Sequence, residues 1–313
     1  MSTSIVVVGA GHLGNYHLTK IAAHPDATLH AIVEIDSSKH EELSTLHNVP
    51  VHSALKDVAQ GAQAAIIATP TQNHLQSASA ALAQGLHVLV EKPICSTASQ
   101  GQELCAQAKD AGKLLLVGHS ERFNPAVMAA LKVADQTRYF VSERLAPFTG
   151  RSTDVDVVLD LMIHDLDILA SLVDAPLKEV RAIGMPVITN SVDMAAVRLE
   201  FEDGTVAQCS AGRASLEPSR KIRLFTRERY ISIDCAAQEV KSVRRLPSND
   251  DNWPEISGEN IEISKDDALY LQLDNFLKAI NDNQSPIVDG QAGVRALSMA
   301  EAIKEAIANH KFA

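Results

Sequence analysis

The sequence predicts an α/β protein in two parts: a doubly wound parallel sheet at the N-terminal end, then an α+β domain built on antiparallel strands. Three observations carry this. Short apolar runs alternate with longer amphipathic stretches through residues 1–120. The first run, Ile5–Val8, leads into Gly9, Gly11 and Gly14, after which the pattern turns helical. After Phe123 the texture changes to longer strands joined by hairpin signals. Fully apolar strands bounded by helices belong to a sheet covered on both faces, which is a parallel one. Strands that follow one another through hairpins form the antiparallel part of an α+β domain.

The elements follow in order. Strands are expected at Ile5–Val8, Leu29–Val33, Ala64–Ala68, His87–Val90 and Leu114–Val117, with helices around Leu13–Ala23, Asn73–Ala83 and Ser96–Ala111. A helix from about Asp156 to Leu172 opens the second part. Ala195–Phe201 and Thr205–Ala211 flank Glu202-Asp203-Gly204, a hairpin signal. Further strands are expected at Lys221–Phe225, Tyr230–Asp234 and Val240–Arg244, and Pro247 to Gly258 reads as a surface loop. Helices near Asp267–Asn281 and Gly290–Asn309 close the chain. The domain boundary falls at 122/123, giving domains 1–122 and 123–313, with the last helix packing back on the first domain.

Composition narrows the function. The 313 residues carry 28 Lys plus Arg against 39 Asp plus Glu, a net charge of −11, with no long basic run. A nucleic-acid surface is therefore not expected. No apolar stretch approaches the ~18 residues of a membrane span, and the N-terminus runs straight into a strand rather than a signal peptide. Cys95, Cys105, Cys209 and Cys235 are scattered without a C-x-x-C, as in reduced thiols of a cytoplasmic protein.

The glycine run is the pattern G-x-G-x-x-G between strand and helix. Gly9 permits the tight turn, Gly11 lets backbone approach a pyrophosphate, and Gly14 lets helix pack on strand. The N–H groups at the helix start then face an anion. Gly9, Gly11, His12, Leu13 and Gly14 are thus candidate contacts to a dinucleotide. Glu34 follows Gly14 by 20 positions and ends the second strand. An acid there accepts hydrogen bonds from the ribose hydroxyls and repels a 2′-phosphate. No arginine follows it directly, so NAD is favoured over NADP, with Asp36 as the rival ribose ligand. Thr69-Pro70, Asn73 and His74 stand at another strand end, where backbone lines the cofactor site.

Glu91-Lys92-Pro93 ends the fifth strand, so Lys92 would stand near the nicotinamide as an acid or base. Pro93 restricts Lys92 to extended geometry. Glu91, Lys92 and Arg122 complete the candidate cofactor set. Asp160 and His164 lie four apart in a predicted helix and share a face. Asp167 falls on the same side, opposite Val158, Leu161, Ile168 and Leu172. A carboxylate beside an imidazole suits alcohol oxidation, one accepting the hydroxyl proton and the other orienting it. The spacing could also hold a metal, but no third ligand is evident and no metal is expected.

With these residues assembled, the chain resembles the glucose-fructose oxidoreductase / inositol dehydrogenase (Gfo/Idh/MocA) family. The matching pieces are the Gly9-Gly11-Gly14 loop, Thr69-Pro70 with His74, Glu91-Lys92-Pro93, and Asp160 with His164 and Asp167. Gln272-Leu-x-x-Phe276-Leu-x-x-Ile280, Ala296-Leu297 and Ala302-Ile303 continue the match over nearly the whole chain. The resemblance implies an N-terminal Rossmann domain binding NAD and a C-terminal domain with a large open, mostly antiparallel sheet. It implies that one sheet face packs on another subunit, giving a homodimer or homotetramer, and that Lys92, Asp160 and His164 are the catalytic set. Met162 departs from the glycine many members carry, so inositol specificity is not carried over.

Val117-Gly-His-Ser-Glu-Arg-Phe-Asn-Pro125 and Leu159-Asp-Leu-Met-Ile-His-Asp165 are similar to a branch that includes UDP-N-acetylglucosamine 3-dehydrogenases. That implies hydride transfer from C3 of the nucleotide sugar to NAD⁺, the ketone passing to an aminotransferase for lipid A or another surface glycan. Lys92 or His164 would take the hydroxyl proton, with Asp160 orienting His164 or binding a neighbouring hydroxyl. Arg122, Arg144, Arg151 and Arg213 are candidates to hold a diphosphate, since guanidinium forks fit phosphate oxygens. A free sugar, an inositol or a UDP-uronic acid are alternative substrates. A non-catalytic NAD-binding regulator is the alternative of another class.

Overall fold

A computed structural model describes residues 2–58, 60–150, 155–246, 253, 255–282 and 284–310. β1 (Thr3–Val8) passes through the glycine loop into α1 (His12–Ala23) and β2 (Ala27–Val33). α2 (His40–His47), β3 (Val51–His52), β4 (Ala64–Ile67), α3 (His74–Ala83), β5 (His87–Glu91), α4 (Ala98–Asp110) and β6 (Leu115–Gly118) follow. Next come α5 (Pro125–Leu131), β7 (Tyr139–Leu145), a π-helical turn at Val158–Met162, α6 (Ile163–Leu172) and β8 (Leu177–Met185). β9 (Met194–Phe201), β10 (Val206–Gly212), β11 (Ser219–Phe225), β12 (Arg229–Asp234), β13 (Glu239–Leu246) and β14 (Glu255–Ile261) precede α7 (Ala268–Asn281) and α8 (Gly290–Asn309).

These elements sort into two compact units, Met1–Ser120 with Asp267–Arg295, and Glu121–Asp266 with Ala296–Ala313. The expected boundary gives 123–313 to the second domain, with the last helix packing back on the first. The structure returns α7 and the first turns of α8 to the first unit, because they bond there. Lys20 Nζ meets Asp267 Oδ2 at 2.8 Å, His24 stacks on Tyr270 at 4.9 Å, and Leu273, Phe276 and Leu277 enter the core of β1, β2, β4 and β5. At the start of α8 a Cβ on Gly290 would lie 2.6 Å from Cys105 Sγ, and one on Gly293 2.6 Å from Val117 Cγ2. From Ala296 onward α8 belongs to the second unit, where Met299, Ala300 and Ile303 join the core.

The first unit's sheet is parallel throughout, in the order β3-β2-β1-β4-β5-β6. Ile5–Val8, Ala31–Val33, Ala64–Ile67, Val88–Val90 and Leu115–Val117 are buried, which is why these stretches read as apolar runs. The order reverses between β1 and β4, and ligands of such sheets bind beyond the carboxyl ends at that reversal.

The second unit's sheet runs β14-β13-β12-β11-β7-β10-β9-β8 and is antiparallel except for the β7–β10 pair. β7 lies near its middle, yet the pattern of the sequence does not announce it, nor β8, α2, β3 and α5. The reason is specific to β7. Its inward row is Phe140, Ser142 and Arg144, so two of three core positions are polar and the usual alternation is lost. The stretch read as a loop from Pro247 to Gly258 ends in a strand. β14 is a sheet edge with mostly exposed side chains and so gives no apolar signal.

Candidate active site

Three glycines shape the loop after β1, each for a different reason. Gly9 has φ +92°, and a Cβ there would meet the Ala68 carbonyl oxygen at 2.8 Å. A Cβ on Gly14 would fall 2.0 Å from the Gly9 oxygen, so α1 packs on the loop only through glycine. Gly11, the N-cap of α1, has nothing within 4 Å of its Cβ position. Open space there, beside the helix's first N–H groups, fits a pyrophosphate pressed against backbone. Across the switch point Thr69 Oγ1 is buried without a hydrogen-bond partner among the described residues, a donor awaiting an acceptor.

Glu34 is buried, and its carboxylate accepts from the N–H of Ala10 at 3.0 Å and of Asp36 at 3.0 Å. It therefore ties the glycine loop to the end of β2, with lone pairs to spare for ribose hydroxyls. Asp36 is exposed and accepts from Ser38 N–H and Oγ at 3.1 and 2.5 Å. Those bonds from Ser38 hold its carboxyl below the ordinary value.

Lys92 is half-buried between buried Glu91 and buried Pro93, and the Lys92–Pro93 peptide is cis. Its N–H donates to Glu91 Oε2 at 3.2 Å, and His17 Nε2 lies 2.7 Å from Glu91 Oε1. His74 has Nδ1 2.8 Å from the Pro93 oxygen and Nε2 2.9 Å from the Thr69 oxygen. Burial pushes the His74 imidazole toward its neutral form, against the two carbonyls that each call for an N–H. The sequence reading did not single out His17. Its signal was a histidine inside the buried stripe of α1, beside Leu18 and Ile21.

In the second unit, Asp160 lies on the π turn and His164 on the first turn of α6. A π turn adds a residue to the helix and is frequent at functional sites. Asp160 and His164 are half-buried, whereas Asp165 and Asp167 are buried. The expectation that Asp167 shares the polar face is corrected here. Arg122 Nη1 donates to Asp167 O at 3.1 Å and Oδ1 at 3.3 Å, drawing it into the interior.

The arginines depart from the sequence expectation for the same reason. Arg144 is 4% exposed and donates to Asp165 Oδ1 from Nε at 3.1 Å and from Nη2 at 2.7 Å, and to Glu121 Oε2 at 3.0 Å. Arg213 donates from Nε to Asp193 Oδ1 at 2.7 Å and from Nη1 to the Val155 oxygen at 2.8 Å. Buried charges need such partners. Arg122, Arg144 and Arg213 thus brace the second unit from within instead of presenting free forks to a diphosphate. Arg151 lies outside the described residues.

A glycine loop of this build at the switch point of a parallel six-stranded sheet, with an acid ending β2 and a lysine ending β5, defines a nicotinamide-dependent oxidoreductase. Two family descriptions match the chain: the oxidoreductase family, NAD-binding Rossmann fold, over residues 3–119, and the oxidoreductase family, C-terminal alpha/beta domain, over residues 151–312. The chain belongs to the Gfo/Idh/MocA family, is a dehydrogenase, and takes NAD as cofactor. It is 33% identical to the UDP-N-acetylglucosamine 3-dehydrogenase of Acidithiobacillus ferrooxidans, over 96% of each chain. The crystal structure of that enzyme superposes with a TM-score of 0.91 over 98% of both chains. Myo-inositol 2-dehydrogenase of Thermotoga maritima is 23% identical over 97% of this chain and 96% of its own. Levoglucosan dehydrogenase, solved with NADH and levoglucosan, shares the fold at a TM-score of 0.85 and 17% identity over 98% of both chains.

Proposed function

We propose that this enzyme oxidises C3 of UDP-N-acetylglucosamine to the 3-keto nucleotide sugar. The observation that carries the reading is its end-to-end similarity to the Acidithiobacillus enzyme, in sequence and in fold. Lys92, Asp160 and His164 form the catalytic set. When bound, NAD⁺ supplies the hydride acceptor. Lys92 and His164 are the groups able to take the C3 hydroxyl proton, and Asp160 orients His164 or holds a neighbouring hydroxyl. Glu34 and Asp36 receive the adenosine ribose and disfavour a 2′-phosphate. The first unit binds the cofactor and the second shapes the substrate site.

The ketone is handed to an aminotransferase, in the cytoplasm. Burial pushes the Cys95 and Cys209 thiols up to about 12 and Cys105 up to about 11, away from the reactive thiolate. No helix among the described residues is long and apolar enough to cross a membrane.

The test is NADH formation from NAD⁺ and UDP-N-acetylglucosamine, with glutamate and a sugar-nucleotide aminotransferase drawing off the ketone. N-acetylglucosamine, myo-inositol and UDP-glucuronate run alongside. The nucleotide sugar should lead by about 10²-fold or more in kcat/KM, the discrimination a site built on specific polar contacts achieves. Faster turnover of a free sugar or an inositol would overturn the assignment.

A further inference from the structure

We propose that the buried pair His17–Glu91, together with His74, fixes the backbone of Lys92 for proton transfer, all three being positioning residues. The proposal rests on the reading of Lys92 as a catalytic residue. Glu91 and Lys92 are adjacent, yet one is 5% exposed and the other half-buried at the strand end. The Glu91 carboxylate bonds the Lys92 N–H with one oxygen and His17 Nε2 with the other, at 3.2 and 2.7 Å. On the far side of Lys92, the Pro93 carbonyl is held by His74 at 2.8 Å. Lys92 therefore stands between two residues that are each tethered at a named atom.

The tethers lead to the cofactor loops. His17 belongs to α1, which begins at the glycine loop, and His74 opens α3 just past Thr69-Pro70 and bonds the Thr69 oxygen at 2.9 Å. Both imidazoles are 1% exposed, so their bonds are shielded from solvent. Room for the carboxylate is built in. Gly118 pairs with Glu91 across β5–β6, and a Cβ there would lie 2.8 Å from the Glu91 carboxyl carbon.

Cost separates a positioning role from a packing one. Burying an ionisable pair is commonly no better for stability than packing apolar groups of the same size. Ile5–Val8 of β1, β4 and Val88–Val90 of β5 are buried and apolar, and the one buried acid of β5, Glu91, falls at the strand end that leads into Lys92. A displacement of about 1 Å at a reacting group costs roughly 10²-fold in rate, which is the effect such tethers prevent.

The experiment uses the full-length enzyme, NAD⁺ with UDP-N-acetylglucosamine, and NADH binding followed by its fluorescence. His17→Ala should lower kcat by about 10- to 10²-fold while the NADH dissociation constant stays within about threefold. His17→Gln, which keeps a donor near the Nε2 position, should recover most of the loss. In a cycle with Lys92→Ala, the double variant should be no slower than Lys92→Ala alone, because His17 acts through Lys92. Glu91→Gln, which preserves volume, is read in the same cycle should His17→Ala fail to fold. Unchanged kcat in these variants, additive losses with Lys92→Ala, or NADH affinity falling in step with kcat would overturn the proposal. A parent enzyme inert toward every sugar of the panel overturns the proposed substrate and the reading of Lys92 on it, and this proposal with them. A parent that turns over normally beside an unaffected His17→Ala overturns the positioning role alone.

Discussion

Asp193 illustrates how single residues organise the second unit. It is fully buried; its Oδ2 accepts from the N–H of Val187, Ile188 and Thr189 at 2.9, 2.7 and 2.7 Å, and Oδ1 accepts from Arg213. Burial opposes its charge, but these donors, led by the Thr189 N–H, outweigh it and hold the carboxyl far below the ordinary 3.8. The unfolded chain therefore takes up this proton first as pH falls. The stabilisation is complete above about pH 5 and is lost as pH drops below the unfolded value toward the native one. Asp193→Asn should lower stability at neutral pH by about 3–5 kcal/mol, because it leaves Arg213 buried and uncompensated. In thermal unfolding that is a fall of roughly 6–20 °C. The variant should also show a shallower decline in Tm below pH 4. A Tm within 2 °C of the parent at pH 7, roughly the shift of a sub-kcal/mol change, would remove Asp193 from its structural role.

At the scale of an element, the strand–loop–helix of β1 and α1 separates folding from binding. Gly11→Ala meets nothing within 4 Å, so Tm should stay within about 2 °C of the parent, yet the added methyl occupies the space where a pyrophosphate approaches. NADH affinity should fall by about tenfold or more, the loss of roughly 1.4 kcal/mol or more of binding. Gly14→Ala places a Cβ 2.0 Å from the Gly9 oxygen, so α1 must shift and both Tm and affinity should fall. Calorimetry and NADH titration on the two variants check this; parallel behaviour of both would show that the glycines do not divide the two tasks. The π turn at Val158–Met162 is the counterpart in the second unit. It places Asp160 on a widened turn, so a spacing of four no longer sets its direction relative to His164 as a regular helix would.

At the scale of the molecule, the second unit's sheet carries its own partner signal. Tyr139, Phe225, Tyr230 and Val243 pair across β7, β11, β12 and β13 on the face opposite buried Phe140, Leu224 and Ile231. The rings stand 5.4 and 5.1 Å apart, with Phe225 36% and Val243 40% exposed. An aromatic row open to solvent on a broad sheet is the composition of a protein interface. The family resemblance implies a second copy on one face of this sheet, and this row is the candidate face. Light scattering after size-exclusion chromatography should give at least a dimer for the parent and a smaller species for Phe225→Lys with Tyr230→Lys, at unchanged circular dichroism. A monomeric parent at micromolar concentration would set the interface aside.

Much of this protein is decided by local pattern. The apolar strand, the glycines at 9, 11 and 14, and the late acid Glu34 specify a Rossmann domain, because a buried parallel strand and a phosphate-binding turn are both short-range devices. Lys92 stands out by its place at a strand end of that domain, and Asp160 and His164 by their spacing in the second unit, while their roles rest on the family resemblance. Partners distant in sequence were not. Arg144 meets Asp165 and Glu121, Arg213 meets Asp193, and His17 meets Glu91 across 74 residues, so a polar side chain that reads as a surface charge proves to be a buried strut. Tertiary structure also decided that β7 runs through the sheet with Ser142 and Arg144 facing inward, and that α7 returns to the first unit. The physical reason is common to all of these. Periodicity reports which way a residue points along its own element, while the choice between water and a buried partner is made only when remote segments meet.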